Sequence, residues 1–218
     1  MDNIKELTTS ITRLFAIKNP KGFTADDIGK VKKLYGGLPN TLEVFYLQLG
    51  RSDELINIQD ELILPGKYPV FLDYDHLIFF NENQGVSQAG IALADIKEDD
   101  PPVYVGYENK EWIKAADTLS GFLIAMFGYQ ASLSLQYAPK EFYWINKTDL
   151  EIIKEHFAGQ PESLPNWLYH EVDLYAGSPD ERISIMNSGD YMSMIYAANN
   201  EQAFTKMQNI LTNIGEAM

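Results

Sequence analysis

Cysteine is absent from this 218-residue chain. Its absence excludes disulfides, thiol nucleophiles and zinc sites built on thiolates. Positive charge is scarce, with 17 Lys and Arg against 31 Asp and Glu and a formal net charge of -14. Binding along a phosphate backbone needs clustered Lys and Arg, so no nucleic-acid partner is expected. No run approaches the ~20 apolar residues of a membrane helix. The opening Met1-Asp2-Asn3-Ile4-Lys5-Glu6 is charged and has no apolar signal core. A cytoplasmic protein with no membrane partner is therefore expected. Nucleophile-elbow, H-E-x-x-H and P-loop patterns are missing too. The three histidines, His76, His156 and His170, lie far apart in the chain and are read as structural or surface residues.

What is present suffices for a sizeable core, since 45% of the residues are hydrophobic. Ile4, Leu7, Ile11, Leu14 and Phe15 fall at helical spacing, and Asn19-Pro20 should end that helix. Thr24-Ala25-Asp26-Asp27 reads as a cap for a second helix running to Gly36-Gly37. Leu38-Pro39 opens a third, with Leu42, Phe45, Tyr46 and Leu49 on one face and Gly50 at its end.

From Glu61 to Ala115 the period becomes that of strands, expected at Glu61–Leu64, His76–Asn81, Val86–Ala92, Val103–Gly106 and briefly at Trp112. Asp117 or Thr118 should cap a helix presenting Leu119, Phe122, Leu123, Met126, Phe127 and Ala131 on one face. Thr148-Asp149-Leu150-Glu151 reads as a capping box for a short helix closed by Gly159. Three strands are then expected at Trp167–Tyr175, Arg182–Asn187 and Tyr191–Ala197. Their links are Gly177-Ser178-Pro179-Asp180 and Ser188-Gly189-Asp190. Asn199 or Asn200 should cap a last helix bearing Ala203, Phe204, Met207, Ile210, Leu211 and Ile214. The fold class is thus α+β: a mainly antiparallel sheet with helices packed on it, then a C-terminal three-strand meander and helix. Residues 1–135 and 136–218 are the expected divisions, the second packed on the first.

The most informative segment joins the apolar Leu77-Ile78-Phe79-Phe80 to Asn81-Glu82-Asn83-Gln84-Gly85-Val86, with Asp99-Asp100-Pro101-Pro102-Val103-Tyr104 following. A buried strand would place the polar cluster at its exit, where side chains and backbone amides can meet a partner. Asn83, Gln84 and Gly85 equally suit a tight turn whose amides hold the backbone. With no nucleophile and base in that cluster, recognition is expected rather than bond cleavage. The partner-binding candidates are Glu82, Asn83, Gln84, Gly85, Asp99, Asp100, Tyr104 and Trp112. No catalytic residue, metal or cofactor is assigned. Asp73-Tyr74-Asp75-His76 is read as an acidic turn before a strand, not as a metal site. Glu82 with Asp73 or Asp75 could imitate a glycosidase pair only if geometry brought them together.

The order of these features resembles the SUKH superfamily, which includes the fungal Smi/Knr cell-wall-synthesis regulator and many bacterial toxin-immunity proteins. The resemblance covers about Thr24 to Ala131. It rests on Leu38-Pro39 before the Phe45-Tyr46 helix and Gly50, then the apolar strand into Glu82-Asn83-Gln84-Gly85. Asp100-Pro101-Pro102-Val103, Trp112 and the Leu119-Ser120-Gly121-Phe122-Leu123 helix complete it. Where the family often carries an aromatic shortly after the Gln-Gly pair, this chain has Ala89-Gly90-Ile91. The resemblance implies an α+β fold, no enzyme activity and a protein-binding role. In the immunity reading the partner is a basic toxin domain. The alternatives are a regulatory scaffold with several endogenous partners and, more distantly, a carboxylate hydrolase.

Overall fold

The computed structural model describes residues 2–67, 72–73, 75–107, 111–189 and 191–218, with only the backbone of residues 2, 3, 72 and 73. Tyr74 and Asp190 lie outside these residues, as do the side chains of Asp73 and Asp2. Among the described residues the chain is α+β, with seven α-helices and two sheets whose strand pairings are antiparallel. Two compact units divide within two helices, the first and the fifth: residues 1–12 and 17–123 form the first unit, residues 13–16 and 124–218 the second.

The first unit opens with α1 (Asp2–Leu14), which buries Leu7 and Ile11 here. The helix stops at Leu14, earlier than Asn19-Pro20 would require, and Ala16 beyond it has φ 50°. Helix α2 (Ala25–Tyr35) has the expected capping box: Thr24 and Asp27 satisfy each other's backbone N–H. Its neighbour α3 (Asn40–Gln48) buries Leu42, Phe45 and Tyr46, and the short α4 (Asp53–Ile56) buries Leu55. The sheet contains β1 (Glu61–Leu62), β2 (Leu72–Asp73), β3 (His76–Asn81), β4 (Ser87–Ala92), β5 (Val103–Tyr107) and β6 (Ile113–Ala116). Their order is β1-β3-β4-β5-β6, with β2 also on β3. Alternation sends Val103 and Val105 to the core and Tyr104 to the other face. Trp112 precedes β6 instead of lying in a strand. Helix α5 (Leu119–Ser134) gives Leu119, Phe122 and Leu123 to this core, Phe122 meeting Phe79 edge-on at 6 Å or less (5.7 Å between centroids).

The second unit is a sheet with helix on both faces, ordered β13-β7-β12-β11-β10-β8. The elements are β7 (Tyr143–Ile145), α6 (Lys147–His156), β8 (Ala158–Gly159), β9 (Leu164–Trp167), β10 (His170–Ala176), β11 (Glu181–Asn187), β12 (Met192–Ala198), α7 (Glu201–Leu211) and β13 (Glu216–Ala217). Strands β10, β11 and β12 are the expected meander. Strands β7, β8, β9 and β13 extend the sheet with segments too short to show a period. One face buries Ile183, Ile185, Met194 and Tyr196 with Ile153, Phe157, Met207 and Leu211. On the other, Ser132 and Ser184 share a buried hydrogen bond of 2.7 Å, and Gly128 packs beneath Leu174 and Arg182. Within α5 every residue from Ala125 to Ser132 is buried, so no polar stripe marks it.

Three local expectations change. The capping box of α6 is Asn146 with Asp149, two residues earlier than Thr148 suggested, because the Asn146 side chain accepts the N–H groups of Thr148 and Asp149. Gly159 does not close that helix; it pairs with Tyr175 in β8. The segment Trp167–Tyr175 is not one strand but a hairpin, with Trp167 paired to His170 around Leu168-Tyr169.

Leu168 and Tyr169 have φ of 53° and 63°. Two-residue hairpin turns of this hand favour Asn-Gly, and a side chain in the left-handed region costs roughly 1–2 kcal/mol. Replacing both, Leu168→Asn with Tyr169→Gly, should raise stability by about 1–2 kcal/mol and Tm by about 4 °C. A melt with unchanged or lower Tm would contradict the strain.

Burial pushes the Tyr196 hydroxyl up to about 12, with the neighbouring Tyr143 adding to the shift. Between pH 10 and 12 the folded state therefore holds a proton that the unfolded chain has lost. Stability present below pH 10 falls as pH rises through this window, by on the order of 2 kcal/mol. Tyrosinate absorbance followed alongside unfolding checks this: Tyr196→Phe should flatten the alkaline loss.

Candidate functional site

Glu82 begins the turn between β3 and β4. It is 4% exposed, and its carboxylate Oε2 accepts the N–H groups of Gln84 at 2.9 Å and Val86 at 3.0 Å. The Glu82 N–H donates to Ser87 O and its carbonyl accepts Gly85 N–H, while Gly85 has φ 77°. Glycine adopts that left-handed conformation without a Cβ penalty. Asn83 donates its N–H to buried Asp60 at 3.3 Å. Asn83, Gln84 and Gly85 are thus held outward and exposed, and Glu82 holds them.

At the opposite end of the sheet lies Asp99-Asp100. Asp100 Oδ1 accepts Ser120 N–H at 2.8 Å and Thr41 Oγ1–H at 3.1 Å, while Oδ2 accepts Ser120 Oγ–H at 2.6 Å. The Asp99 carbonyl accepts Thr41 N–H. Asp100 therefore ties α3 to the first turn of α5, where a carboxylate is also favoured by the helix dipole. Thr118 assists by accepting Gly121 N–H, whereas Asp117 forms an ion pair with Lys114 at 2.6 Å. Only Asp99 of the two is exposed.

Between these ends the outer face of the sheet carries an aromatic cluster. Trp112 stacks on His76 with ring centroids 4.1 Å apart and 16° between planes. Tyr104 meets His76 edge-on at 5.6 Å. The indole lies over Gly90 and Gly106, where an added Cβ would approach it to 3.0 Å and 2.9 Å. The glycine in Ala89-Gly90-Ile91 thus leaves room for a ring supplied from Trp112. All three rings are partly exposed.

Register decides which candidates meet. Ser87 pairs with Tyr107 and Gly90 with Tyr104, so the Glu82–Val86 turn and Asp99-Asp100 lie at opposite ends of β4. A six-residue strand at about 3.4 Å per residue separates them by ~20 Å. Tyr104 and Trp112 do come together on the face between. Asp75 precedes β3 and Glu82 follows it, while the Asp73 backbone pairs with His76. Glu82 is thereby separated from Asp75 by roughly the strand's length, beyond the ~10 Å limit for paired glycosidase carboxylates, and those two do not form such a pair.

Sequence reasoning missed His76 as a member of the cluster, and Gly90 and Gly106 as its floor. The available signal was glycine in neighbouring strands near an unplaced tryptophan. Thr41 and Ser120 had none, because their link to Asp100 is purely tertiary. No protein-family model, curated protein or solved structure matches this chain. No helix among the described residues is long and apolar enough to cross a membrane.

Proposed function

We propose that this chain is a non-catalytic protein-binding module of the SUKH kind, an immunity protein that neutralises a basic toxin domain in the cytoplasm. The observation that carries the reading is the partly exposed His76, Tyr104 and Trp112 cluster on an antiparallel sheet. Stacked rings are rigid, and they offer contact area with little conformational entropy left to lose. The net charge of -14 favours fast encounter with a basic partner. Tyr104 and Trp112 make the centre of the contact. Asn83, Gln84 and Gly85 border it at one end and Asp99 at the other, while Glu82 and Asp100 hold those borders in place.

The test is capture on the immobilised protein from lysates of source cells and of a competing strain, followed by a toxicity-rescue assay. One dominant basic partner is expected, with affinity falling about tenfold in Trp112→Ala. Several weak endogenous partners of similar affinity would indicate a regulatory scaffold. Unchanged affinity in both Trp112→Ala and Asp99→Lys would sink the surface assignment.

A further inference from the structure

The second unit leaves two large aromatics exposed side by side. Trp144 on β7 is 44% exposed and Tyr191, just before β12, is 65% exposed, with ring centroids 5.6 Å apart. Glu216 of β13 pairs directly with Trp144, so the two side chains share a face. This register depends on Gly215: its φ is 74°, and an added Cβ would lie 2.6 Å from the Trp144 carbonyl oxygen. Beside them opens a cleft of about 390 Å³, lined by Trp144, Asn146, Asp149, Asn213 and Glu216 among others. Among the described residues two carboxylates line it and no Lys or Arg does. Asp149 Oδ2 and Asn146 Oδ1 are engaged in the α6 cap, which fixes that wall.

We propose that this cleft receives a lysine or arginine side chain of a partner polypeptide. The indole face attracts the cation through its quadrupole, and a guanidinium also stacks on it. Glu216 supplies the opposite charge from the neighbouring strand, and Asp149 adds negative potential across the cleft. The inference stands on the second unit alone and does not rest on the aromatic face of the first.

The experiment follows the indole N–H signals of the full-length protein by NMR, with the Trp144 signal assigned through Trp144→Phe. The probe is a capped Gly-Arg-Gly peptide; its citrulline counterpart is the neutral control and tetramethylammonium the small-cation control. The arginine peptide should shift the Trp144 signal saturably at physiological salt while Trp112 and Trp167 stay still. Glu216→Gln and Tyr191→Ala should each weaken binding about threefold or more. Both positions are exposed, and an unmoved signal from buried Trp167 reports that the fold is intact. The proposal would be overturned by no saturable shift, by equal binding of the citrulline peptide, or by binding indifferent to Glu216→Gln. Tetramethylammonium binding as tightly as the peptide would also overturn it, by identifying a small ammonium ligand as the occupant.

Discussion

Asp100→Ala should cost about 3 kcal/mol of stability, read as a fall of roughly 6–12 °C in Tm. The side chain accepts three hydrogen bonds, two from Ser120 and one from Thr41. Hydrogen bonds to a charged acceptor are worth more than neutral ones, and truncation leaves the α5 N-terminal amide and two hydroxyls without that partner. Ser120 is buried, so water replaces the lost acceptor poorly. Asp100→Asn keeps one carbonyl acceptor and should lose less than half as much. Thermal unfolding of the three proteins checks this. A loss below about 1 kcal/mol for Asp100→Ala would show that α5 does not depend on the carboxylate.

Glu82→Ala should destabilise by about 2–3 kcal/mol, with the effect concentrated at the β3–β4 turn. Its carboxylate is the acceptor for two turn amides, and little water reaches it. Glu82→Gln retains an acceptor oxygen and should cost about half as much. Hydrogen exchange gives the sharper readout: the Gln84 and Val86 amides should exchange faster in Glu82→Ala while those of β5 change less. Equal acceleration throughout the sheet would contradict a local role.

Together these outcomes bear on how the proposed surface can be tested. Charge reversal at Glu82 or Asp100 would place an ammonium where a carboxylate is bonded, so a loss of binding would report unfolding. Asp99 is exposed, and Asp99→Lys should leave stability within about 0.5 kcal/mol. It is the variant that isolates charge complementarity.

Much of the architecture was legible before any coordinates. Apolar spacing located α1, α3, α5 and α7, a capping signal located α2, and β-branched runs bounded by turn residues located β3, β4, β5, β11 and β12. Those signals are local: a helix or strand that buries one face must repeat its apolar residues at the corresponding period. The α6 cap was displaced because Asn146 and Thr148 both suit a cap, and only the hydrogen bonds choose between them. The hairpin at Leu168-Tyr169 was unreadable because its residues oppose the turn they make.

By itself, then, the chain determined the α+β class, the acidic surface and the position of polar turns at strand ends. Composition and period depend only on neighbours in sequence. Tertiary structure alone decided which polar residues face outward. Glu82 and Asp100 look equivalent to Asp99 in sequence, yet their carboxylates accept bonds from their own turn and from α3 and α5. Likewise, only strand register could bring Trp112 over Gly90 and Gly106 onto His76, or set Glu216 opposite Trp144. The physical reason is that desolvation and hydrogen bonding act across space, between residues whose separation along the chain carries no period.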